Sequence, residues 1–323
     1  MIRTAILSTW HVHTKDYTRQ AMENANIELK VVWDDNVDKG KSFAADWDLP
    51  FESDLDTVLA REDIDAVIVD TPTNQHPEVL VKAAEAGKHI FTEKVLAITS
   101  KDAGKIAKAV EKAGVKFVIS FPHRTMPHNL YAKQVVEQGV LGNISLVRIR
   151  NAHNGASAGW LPEHFYDPET CGGGAMIDLG AHGMYLPLWL LGRPESVQAS
   201  FTYITGRKVE DNAVAVMKFP GGAMAINETG FVSQDSPFSL EVYGDKGCLF
   251  VLGPDRNVRL KLEGKDWETV TDLPDTLPSA MEQWVAAIQD GTPVKFDMDA
   301  ALALTDVMEA AYVSHEKGKT VTL

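Results

Sequence analysis

The stretch Ala66-Val-Ile-Val-Asp70 is an unbroken apolar run that ends in an aspartate, and a helical pattern over Gln75–Ala86 follows it. Gly87 then stops the helix, because glycine readily adopts the left-handed conformation that ends helices. A strand buried on both faces is apolar throughout, since neither side of it meets water. The stretch therefore predicts a parallel-sheet strand followed by a covering helix.

The same strand-and-helix unit recurs on both sides of this stretch. The sequence predicts further strands at Thr4–Ser8, Ile27–Trp33, His89–Phe91 and Lys116–Ser120, with helices at Lys15–Ala25 and Lys101–Ala113. Parallel strands joined by right-handed crossovers form a doubly wound sheet. We therefore predict an α/β, Rossmann-like domain over residues 1–121.

The second half of the chain has a different rhythm, with short strands and glycine-containing turns. Strands are predicted at Ser145–Arg150, Val197–Thr205, Asn212–Phe219, Ala223–Thr229, Ser239–Tyr243, Cys248–Leu252 and Val258–Leu262. Helices are predicted at Asn129–Gln138, at Ser279–Gln289 and at Asp299–His315. A further helix is predicted to follow the glycine-rich motif and to end at Leu191. Short strands with tight turns are typical of an antiparallel sheet. We predict an α+β domain over residues 122–323.

Composition limits the classes of partner. The net charge of −14 and the pI of about 5.1 argue against nucleic acid or an anionic membrane. Cys171 and Cys248 are the only cysteines, so a disulfide framework is not expected and a reducing compartment is favoured. The sequence has neither a long apolar run nor a signal-peptide pattern, so we expect a cytoplasmic protein.

Polar loops follow the predicted strands, at the sheet edge where doubly wound domains bind ligands. The loops are Ser8-Thr9-Trp10-His11-Val12-His13, Asp34-Asp35, Asp70-Thr71-Pro72-Thr73-Asn74-Gln75-His76 and Thr92-Glu93-Lys94-Val95. An acid at Asp34 or Asp35 is placed to hold ribose hydroxyls and to repel a 2′-phosphate, which favours NAD over NADP. Alternatively, Asp34, Asp35 and Asn74 cap turns or helices, and Lys94 is a surface charge.

A glycine-rich segment in the second half ends in two polar residues at helical spacing, Gly172-Gly-Gly-Ala-Met-Ile-Asp178-Leu-Gly-Ala-His182. Residues at i and i+4 share one face of a helix, so Asp178 and His182 are expected to face the same way. A carboxylate can orient and polarise an imidazole that exchanges protons near neutral pH. Alternatively, Asp178 and His182 are buried in the protein core, where their hydrogen bonds are satisfied and they have no catalytic role.

Taken in order, Thr71-Pro-x-Asn-x-His76, Glu93-Lys94 and the glycine-rich Asp178 and His182 segment resemble the glucose–fructose oxidoreductase and inositol dehydrogenase (Gfo/Idh/MocA) family. The resemblance covers essentially the whole chain. It implies a Rossmann domain followed by an open-faced antiparallel sheet domain. Members of this family are mostly NAD(P)-dependent dehydrogenases of sugars and polyols.

The resemblance also implies roles for individual residues. Lys94 matches the catalytic lysine, Asp178 the carboxylate and His182 the proton-transfer histidine, with Arg124 at a basic position of the domain junction. The implied reaction moves a hydride from a secondary alcohol carbon to the nicotinamide of NAD. The predicted cofactor-binding residues are Ser8, Thr9, Trp10, His11, Val12, Asp34, Asp35, Thr71, Pro72, Asn74, His76, Glu93, Lys94 and Arg124. The predicted substrate-binding residues are Lys94, His153, Trp160, His164, Tyr166, Asp178 and His182, although the loop from His153 to Tyr166 could simply be packed.

The chain departs from the family pattern at two places. The glycine positions of the G-x-G-x-x-G fingerprint are Ser8, Trp10 and His13, which leaves NAD expected but makes this loop unusual. Val95 replaces the usual proline after Lys94, so we expect a trans peptide or a shifted loop there. His11-x-His13 is also similar to the histidine pair of metal-dependent barrel hydrolases, but the chain is not an eightfold βα repeat, so we predict no metal.

Other functions and the assembly state follow as expectations. A sugar lyase, epimerase or glycosidase that re-reduces its substrate on a retained NAD is one alternative, and a non-catalytic sugar sensor of the same fold is another. An open-faced sheet usually needs a cover, so we expect a homodimer or homotetramer formed through the C-terminal sheet.

Overall fold

The computed structural model describes residues 1–234 and 238–323. Contacts within the chain divide it into two compact units. The first unit comprises Met1–Ser120 and Pro278–Leu302, and the second comprises Phe121–Leu277 and Ala303–Leu323. Across the described residues, no helix has both the length and the apolar character that crossing a membrane requires.

The first unit is built on a six-stranded parallel sheet in the order β3-β2-β1-β4-β5-β6. Its strands are β1 (Ile2–Leu7), β2 (Ile27–Trp33), β3 (Phe51–Glu52), β4 (Ala66–Val69), β5 (His89–Thr92) and β6 (Phe117–Ile119). Its helices are α1 (Thr14–Glu23), α2 (Val37–Asp46), α3 (Leu55–Ala60), α4 (His76–Glu85), α5 (Ser100–Ala113) and α9 (Ala280–Asp290). This strand order is that of a dinucleotide-binding doubly wound sheet, so the predicted Rossmann fold is confirmed.

Burial explains why these segments form strands and helices. Every residue of β4 is buried, as expected for a central strand covered on both faces. Helix α5 begins after Thr99, whose side chain accepts the Asp102 N–H, and ends at Gly114 with φ of +65°. Because β1, β4 and β5 are neighbours and run parallel, the loops that follow them meet at one edge of the sheet.

The segment Pro278–Leu302 belongs to the first unit, although the sequence analysis assigned it to the second domain. Trp284 of α9 is fully buried, with its ring 5.8 Å from that of Phe91 on β5. The Ile119 N–H also donates a hydrogen bond of 3.1 Å to the Phe296 carbonyl. The late helix therefore completes the first core, a long-range pairing that its own sequence does not reveal.

The second unit is built on a nine-stranded sheet in the order β14-β13-β12-β11-β7-β10-β9-β8-β15. Its strands are β7 (Ile144–Ala152), β8 (Ser196–Thr202), β9 (Asn212–Lys218), β10 (Met224–Gly230), β11 (Ser239–Gly244), β12 (Gly247–Leu252), β13 (Asn257–Leu262), β14 (Glu268–Val270) and β15 (Val321–Thr322). Its helices are α6 (Pro127–Glu137), α7 (Pro168–Cys171), α8 (Gly180–Leu191) and most of α10 (Met298–Lys317). The predicted α+β architecture is confirmed. The sheet is mixed rather than purely antiparallel, because β7 and β10 pair in parallel across the connection that contains α8.

Helix α8 covers one face of this sheet. The Asn227 side chain on β10 donates a hydrogen bond of 2.8 Å to the Gly180 carbonyl at the start of the helix. Residues of β9 alternate between buried and exposed, and the exposed ones include Val214 and Val216. The sheet therefore has one face covered by α8 and a second face that carries exposed apolar side chains.

Candidate functional site

The loop after β1 keeps the backbone geometry of the glycine fingerprint without its glycines. Ser8 has φ of +75°, in the left-handed region that glycine usually occupies. Such a conformation costs a non-glycine residue roughly 1–2 kcal/mol. The Ser8 N–H donates to the Trp33 carbonyl at 2.7 Å, and its Oγ accepts the Trp10 N–H at 3.2 Å. The tight turn thus survives the loss of glycine because its own hydrogen bonds hold it.

Asp34 is buried and caps this turn. Its Oδ2 accepts the Thr9 N–H at 2.7 Å and the Thr9 hydroxyl at 2.6 Å, while its Oδ1 accepts the Asn36 N–H at 2.8 Å. Burial raises the pKa of Asp34, although the bonds from Thr9 and Asn36 oppose the rise. Asp35 is exposed and accepts a bond of 2.7 Å from the Gln75 amide. Of the two roles considered for Asp34, its contacts fit the turn cap.

We expect Asp34→Ala to lower the free energy of unfolding by about 2 kcal/mol, because three hydrogen-bond donors inside the loop lose their acceptor. Asp35→Ala is the matched control, and its effect should stay within about 0.5 kcal/mol because Asp35 is exposed. Chemical denaturation of the two variants measures the difference. Equal stability of the two would contradict the assignment of Asp34 as a cap.

Backbone N–H groups at the start of α1 are used within the loop. The His13 N–H donates to His11 Nδ1 at 3.2 Å and the Thr14 N–H to the His11 carbonyl at 3.1 Å. The N–H groups of Thr9 and Trp10 are bonded to Asp34 and Ser8. A helix N-terminus binds anions through N–H groups that have no other partner. Because the N–H groups named above already have partners within the loop, the loop differs from a glycine-rich loop that binds phosphate. Val12 is exposed at the tip of the loop.

The loop after β4 is fixed by a buried histidine. His76 Nδ1 lies 3.0 Å from the Val95 carbonyl, and its Nε2 lies 3.2 Å from the Thr71 carbonyl. Burial lowers the pKa of His76. His76 therefore ties this loop to the loop after β5, and its role as a cofactor contact stays a prediction. Thr71 and Pro72 are also buried, whereas Asn74 is exposed.

The alternative role for Asn74, that of a helix cap, is wrong. Helix α4 begins at His76, its N-cap residue is Gln75, and it has no side-chain cap bond. A short 3₁₀ helix, Thr73–Gln75, precedes it and carries Asn74.

Lys94 lies just beyond β5 and is buried. Its N–H donates to Glu93 Oε1 at 2.8 Å. The Lys94–Val95 peptide is cis, so the expected trans peptide is wrong. Val95 is buried and its carbonyl contacts His76, and these contacts hold the loop in place.

Glu93 is the centre of a buried polar cluster. Its Oε2 lies 2.9 Å from His13 Nδ1 and 3.9 Å from His11 Nδ1, and it accepts the hydroxyl of Tyr17. Burial opposes ionisation, but His11, His13 and Lys94 hold the pKa of Glu93 well below its usual range. The ligand-type atoms of His11, His13 and Glu93 all lie within 4.8 Å of one another. The structure therefore brings Glu93 together with His11, a predicted cofactor contact, and with His13, which the sequence analysis considered with His11 as a metal-binding pair and set aside.

In the second unit, Asp178 precedes the helix that carries His182. Helix α8 begins at Gly180, so the prediction that both residues sit on one helix is wrong. The N–H groups of Gly174 and Met176 bind Glu210 Oε1, each at 2.9 Å, and the Ala175 N–H binds the Glu210 carbonyl at 2.8 Å. These bonds hold the segment in a turn, because they take N–H groups that a helix would use.

A tyrosine one turn along α8 holds His182. His182 is buried, and its Nδ1 lies 2.8 Å from the Tyr185 hydroxyl oxygen. The same oxygen accepts the His123 N–H at 3.1 Å, and the His123 ring lies 4.5 Å from that of His182. The ring of His182 is thus oriented through Nδ1, which directs the other nitrogen, Nε2, away from Tyr185.

Asp178 acts electrostatically on His153. Burial lowers the pKa of His153, and the charge of Asp178 opposes that shift. The His153 ring stacks on Phe231 at 5.0 Å and lies 4.6 Å from Trp160. Trp160 is 54% exposed, so this aromatic group reaches the surface of the unit.

The other predicted residues are more deeply packed. Tyr166 is buried beneath the Arg207 guanidinium, which lies 4.0 Å from the ring, and His164 packs against Phe165. Arg124 lies with its guanidinium 5.2 Å from the Trp189 ring. The packed-loop alternative therefore describes Tyr166 and His164 better than it describes His153 and Trp160.

Comparison with known proteins matches both halves of the chain in order. A model described as oxidoreductase family, NAD-binding Rossmann fold, matches residues 3–121, and a model of the GFO/IDH/MocA C-terminal domain matches residues 129–250. The chain belongs to the Gfo/Idh/MocA family of NAD-binding oxidoreductases.

Characterised relatives of this Gfo/Idh/MocA protein include two dehydrogenases. It is 28% identical to scyllo-inositol 2-dehydrogenase (NAD(+)) of Bacillus subtilis (strain 168) over 82% of this chain and 80% of the relative. It is 27% identical to D-glucoside 3-dehydrogenase of Escherichia coli (strain K12) over 100% of this chain and 97% of the relative. The fold is similar to that of aldose-aldose oxidoreductase from Caulobacter crescentus complexed with glycerol, with a TM-score of 0.86, 24% identity and coverage of 100% and 99%.

The sequence analysis of this Gfo/Idh/MocA chain did not identify three residues that contact predicted site residues or the segment before them, namely Tyr185, Tyr17 and Glu210. Tyr185 lies three residues after His182, so helical spacing could have identified it as a neighbour. Tyr17 and Glu210 are distant in sequence from the groups that they bind, Glu93 and the glycine-rich segment. Local spacing carries no signal for such pairs.

Proposed function

We propose that this protein is an NAD-dependent dehydrogenase that transfers a hydride between nicotinamide and a secondary hydroxyl of a sugar, polyol or cyclitol. The proposal rests on one observation. The chain matches the family in both domains and retains Lys94, Asp178 and His182, the residues to which the resemblance assigns the chemistry. The dehydrogenase names of the two curated relatives support this substrate class.

In this proposal the acids of the first unit and the N-terminus of α1 face NAD, although the N–H groups of Thr9, Trp10, His13 and Thr14 already bond within the loop. Ser8 retains the left-handed turn of the fingerprint, and α1 follows it with its N-terminus at the same sheet edge. In this proposal the buried Asp34 holds the loop, and the exposed Asp35 takes the ribose hydroxyls. An acid in this position disfavours the 2′-phosphate of NADP. NAD supplies the hydride acceptor when it is bound.

His182 is the proposed proton acceptor. If its Nδ1–H donates to the Tyr185 oxygen, Nε2 keeps a lone pair that can take a hydroxyl proton. A hydroxyl oxygen can accept two hydrogen bonds, so Tyr185 can serve both His182 and the His123 N–H. Lys94 supplies an ammonium that stabilises developing alkoxide charge. Asp178, His153 and Trp160 are the proposed contacts to substrate hydroxyls and ring faces.

Tyr185→Phe should lower kcat about tenfold with little change in KM, because the imidazole loses the group that orients it. Steady-state kinetics with the best substrate measures the effect. Tyr203→Phe is the control, because Tyr203 is an exposed tyrosine of the same unit. A kcat for Tyr185→Phe equal to that of the wild type would rule out the positioning role.

Nucleotide binding followed by turnover tests the function itself. We expect the melting temperature to rise more with NAD than with NADP, and NADH to form at 340 nm with at least one member of an inositol and glucoside panel. Absence of any thermal shift and of any copurified nucleotide would reject the cofactor. Substrate turnover without net NADH would instead indicate a lyase or epimerase. Sugar binding that survives Lys94→Ala and His182→Ala without catalysis would indicate a sensor.

We also propose that the protein forms a homo-oligomer through the exposed face of the second sheet. Val214, Val216 and Met224 are exposed there on adjacent strands. Arg148 lies on the same face and pairs with Glu228 at 2.8 Å. A central apolar patch with charged groups beside it is typical of subunit interfaces. Light scattering after size exclusion should give a mass above the 35.4 kDa of one chain, and a monomer at micromolar concentration would contradict the proposal.

A further inference from the structure

The residues that replace the glycine fingerprint converge on one carboxylate. Glu93 Oε2 lies 2.9 Å from His13 Nδ1 and 3.9 Å from His11 Nδ1, although Glu93 is 80 residues from His13 in sequence. The side chains of His11 and Glu93 are buried, and that of His13 is 38% exposed. The cluster is therefore open to solvent on the His13 side only.

This donor set is one that divalent transition metals use. Two imidazoles and one carboxylate bind zinc with bonds of about 2.0–2.2 Å, which places ligand atoms about 3.4 Å apart around a tetrahedral ion. The distances from Glu93 to the two histidines fall on either side of that value. His11 Nδ1 also accepts the His13 N–H at 3.2 Å, so coordination through Nδ1 would replace that hydrogen bond. The Tyr17 hydroxyl binds the same Glu93 oxygen and would orient the carboxylate from behind.

A second acidic residue is buried at the same edge of the sheet. Asp70 follows β4, the strand between β1 and β5, and is fully buried. Burial raises the pKa of Asp70 well above its usual range, and the charge of Glu93 adds to that rise, so Asp70 is expected to be protonated. Glu93 is therefore the carboxylate that is available to a cation at this edge of the sheet.

We propose that His11, His13 and Glu93 bind one Zn²⁺ ion and leave one coordination position for an oxygen ligand. Three protein ligands with an open fourth position are typical of catalytic zinc sites, whereas structural sites are closed by four. Every group in this site belongs to the protein, so Zn²⁺ binding can be measured without NAD.

Zinc binding to the metal-free full-length chain tests the site. After treatment with a chelator and dialysis, titration calorimetry and elemental analysis should give one Zn²⁺ per chain, and Mg²⁺ should compete poorly because it prefers oxygen ligands. Co²⁺ should give the visible absorption bands of a four-coordinate nitrogen and oxygen site. His11→Gln and His13→Gln should each weaken Zn²⁺ binding at least tenfold, and the double variant should abolish it.

His89→Gln is the matched control, because His89 lies at the opposite end of β5 from Glu93. It should bind Zn²⁺ as tightly as the wild type does. Equal weakening in His89→Gln would mean adventitious binding to histidine, and it would overturn the proposal, as would unchanged binding in a folded double variant. The histidine variants decide the outcome even if Glu93→Gln fails to fold. Zinc binding without any NAD binding would leave the site intact and reject only the proposed function.

Discussion

His182→Ala should lower kcat by about 10³-fold, close to the middle of the range for loss of a general acid–base group. The reason is that Nε2 of His182, directed by the bond from Nδ1 to Tyr185, is the proposed proton acceptor. A factor of 10³ corresponds to about 4 kcal/mol of transition-state stabilisation. The affinity for NAD should stay unchanged, because His182 is not among the predicted cofactor contacts. Lys94→Ala should cost a similar factor, since the alkoxide would lose its ammonium.

Stopped-flow or steady-state formation of NADH measures this loss, together with NAD affinity by calorimetry. His315→Gln is the control for removing a histidine, because its ring packs against Phe201 at the far end of α10. It should leave kcat within a factor of two. Retention of more than a tenth of wild-type kcat in His182→Ala would show that another group moves the proton. Loss of NAD binding in the same variant would point to misfolding instead.

Gly174→Ala should destabilise the protein by about 3 kcal/mol or more, which is the upper end of what overpacking usually costs. A Cβ at this position would lie 2.1 Å from the backbone carbonyl oxygen of Glu210 and 2.8 Å from a methyl group of Val209. Backbone cannot move aside as a flexible side chain can. The shift would also strain the hydrogen bonds from the N–H groups of Gly174, Ala175 and Met176 to Glu210. Since this segment leads to Asp178 and α8, activity should fall as well.

Chemical and thermal unfolding measure the stability of Gly174→Ala, and Gly104→Ala is the control variant. Gly104 lies inside α5, and a Cβ there would meet no heavy atom within 4 Å. That control should be stabilised by about 0.5–1 kcal/mol, because alanine favours helix over glycine. Unfolding midpoints that rise in both variants would show that the segment near Glu210 adapts to a methyl group.

Much of the first unit could be predicted because its signals are local. The apolar runs that became β1, β2, β4, β5 and β6 are each recognisable within three to seven residues, and parallel order follows from the alternation with helices. The position of Lys94 after β5 follows from the same pattern. The second sheet was also predicted, but the parallel pairing of β7 with β10 was not. Pairing across the α8 connection depends on how distant strands pack, which alternation in one strand does not encode.

In the candidate site, too, some features have local sequence signals and others depend on contacts between distant residues. Asp178 and His182 were found by spacing, yet the bonds of Glu210 to the glycine-rich segment move the start of α8 to Gly180. His76 was predicted as a cofactor contact, but the carbonyls of Thr71 and Val95 surround it.

The sequence by itself determined the two-domain order, the Rossmann strands and the identity of Lys94, Asp178 and His182 as candidates. Those features depend on the periodicity and chemistry of neighbouring residues. Only the tertiary structure decided that Asp34 caps its own loop, that Tyr185 orients His182, and that His11 and His13 meet Glu93. A buried polar group must find a partner wherever the fold supplies one, and that partner is fixed by which segments the topology brings together rather than by nearness in sequence.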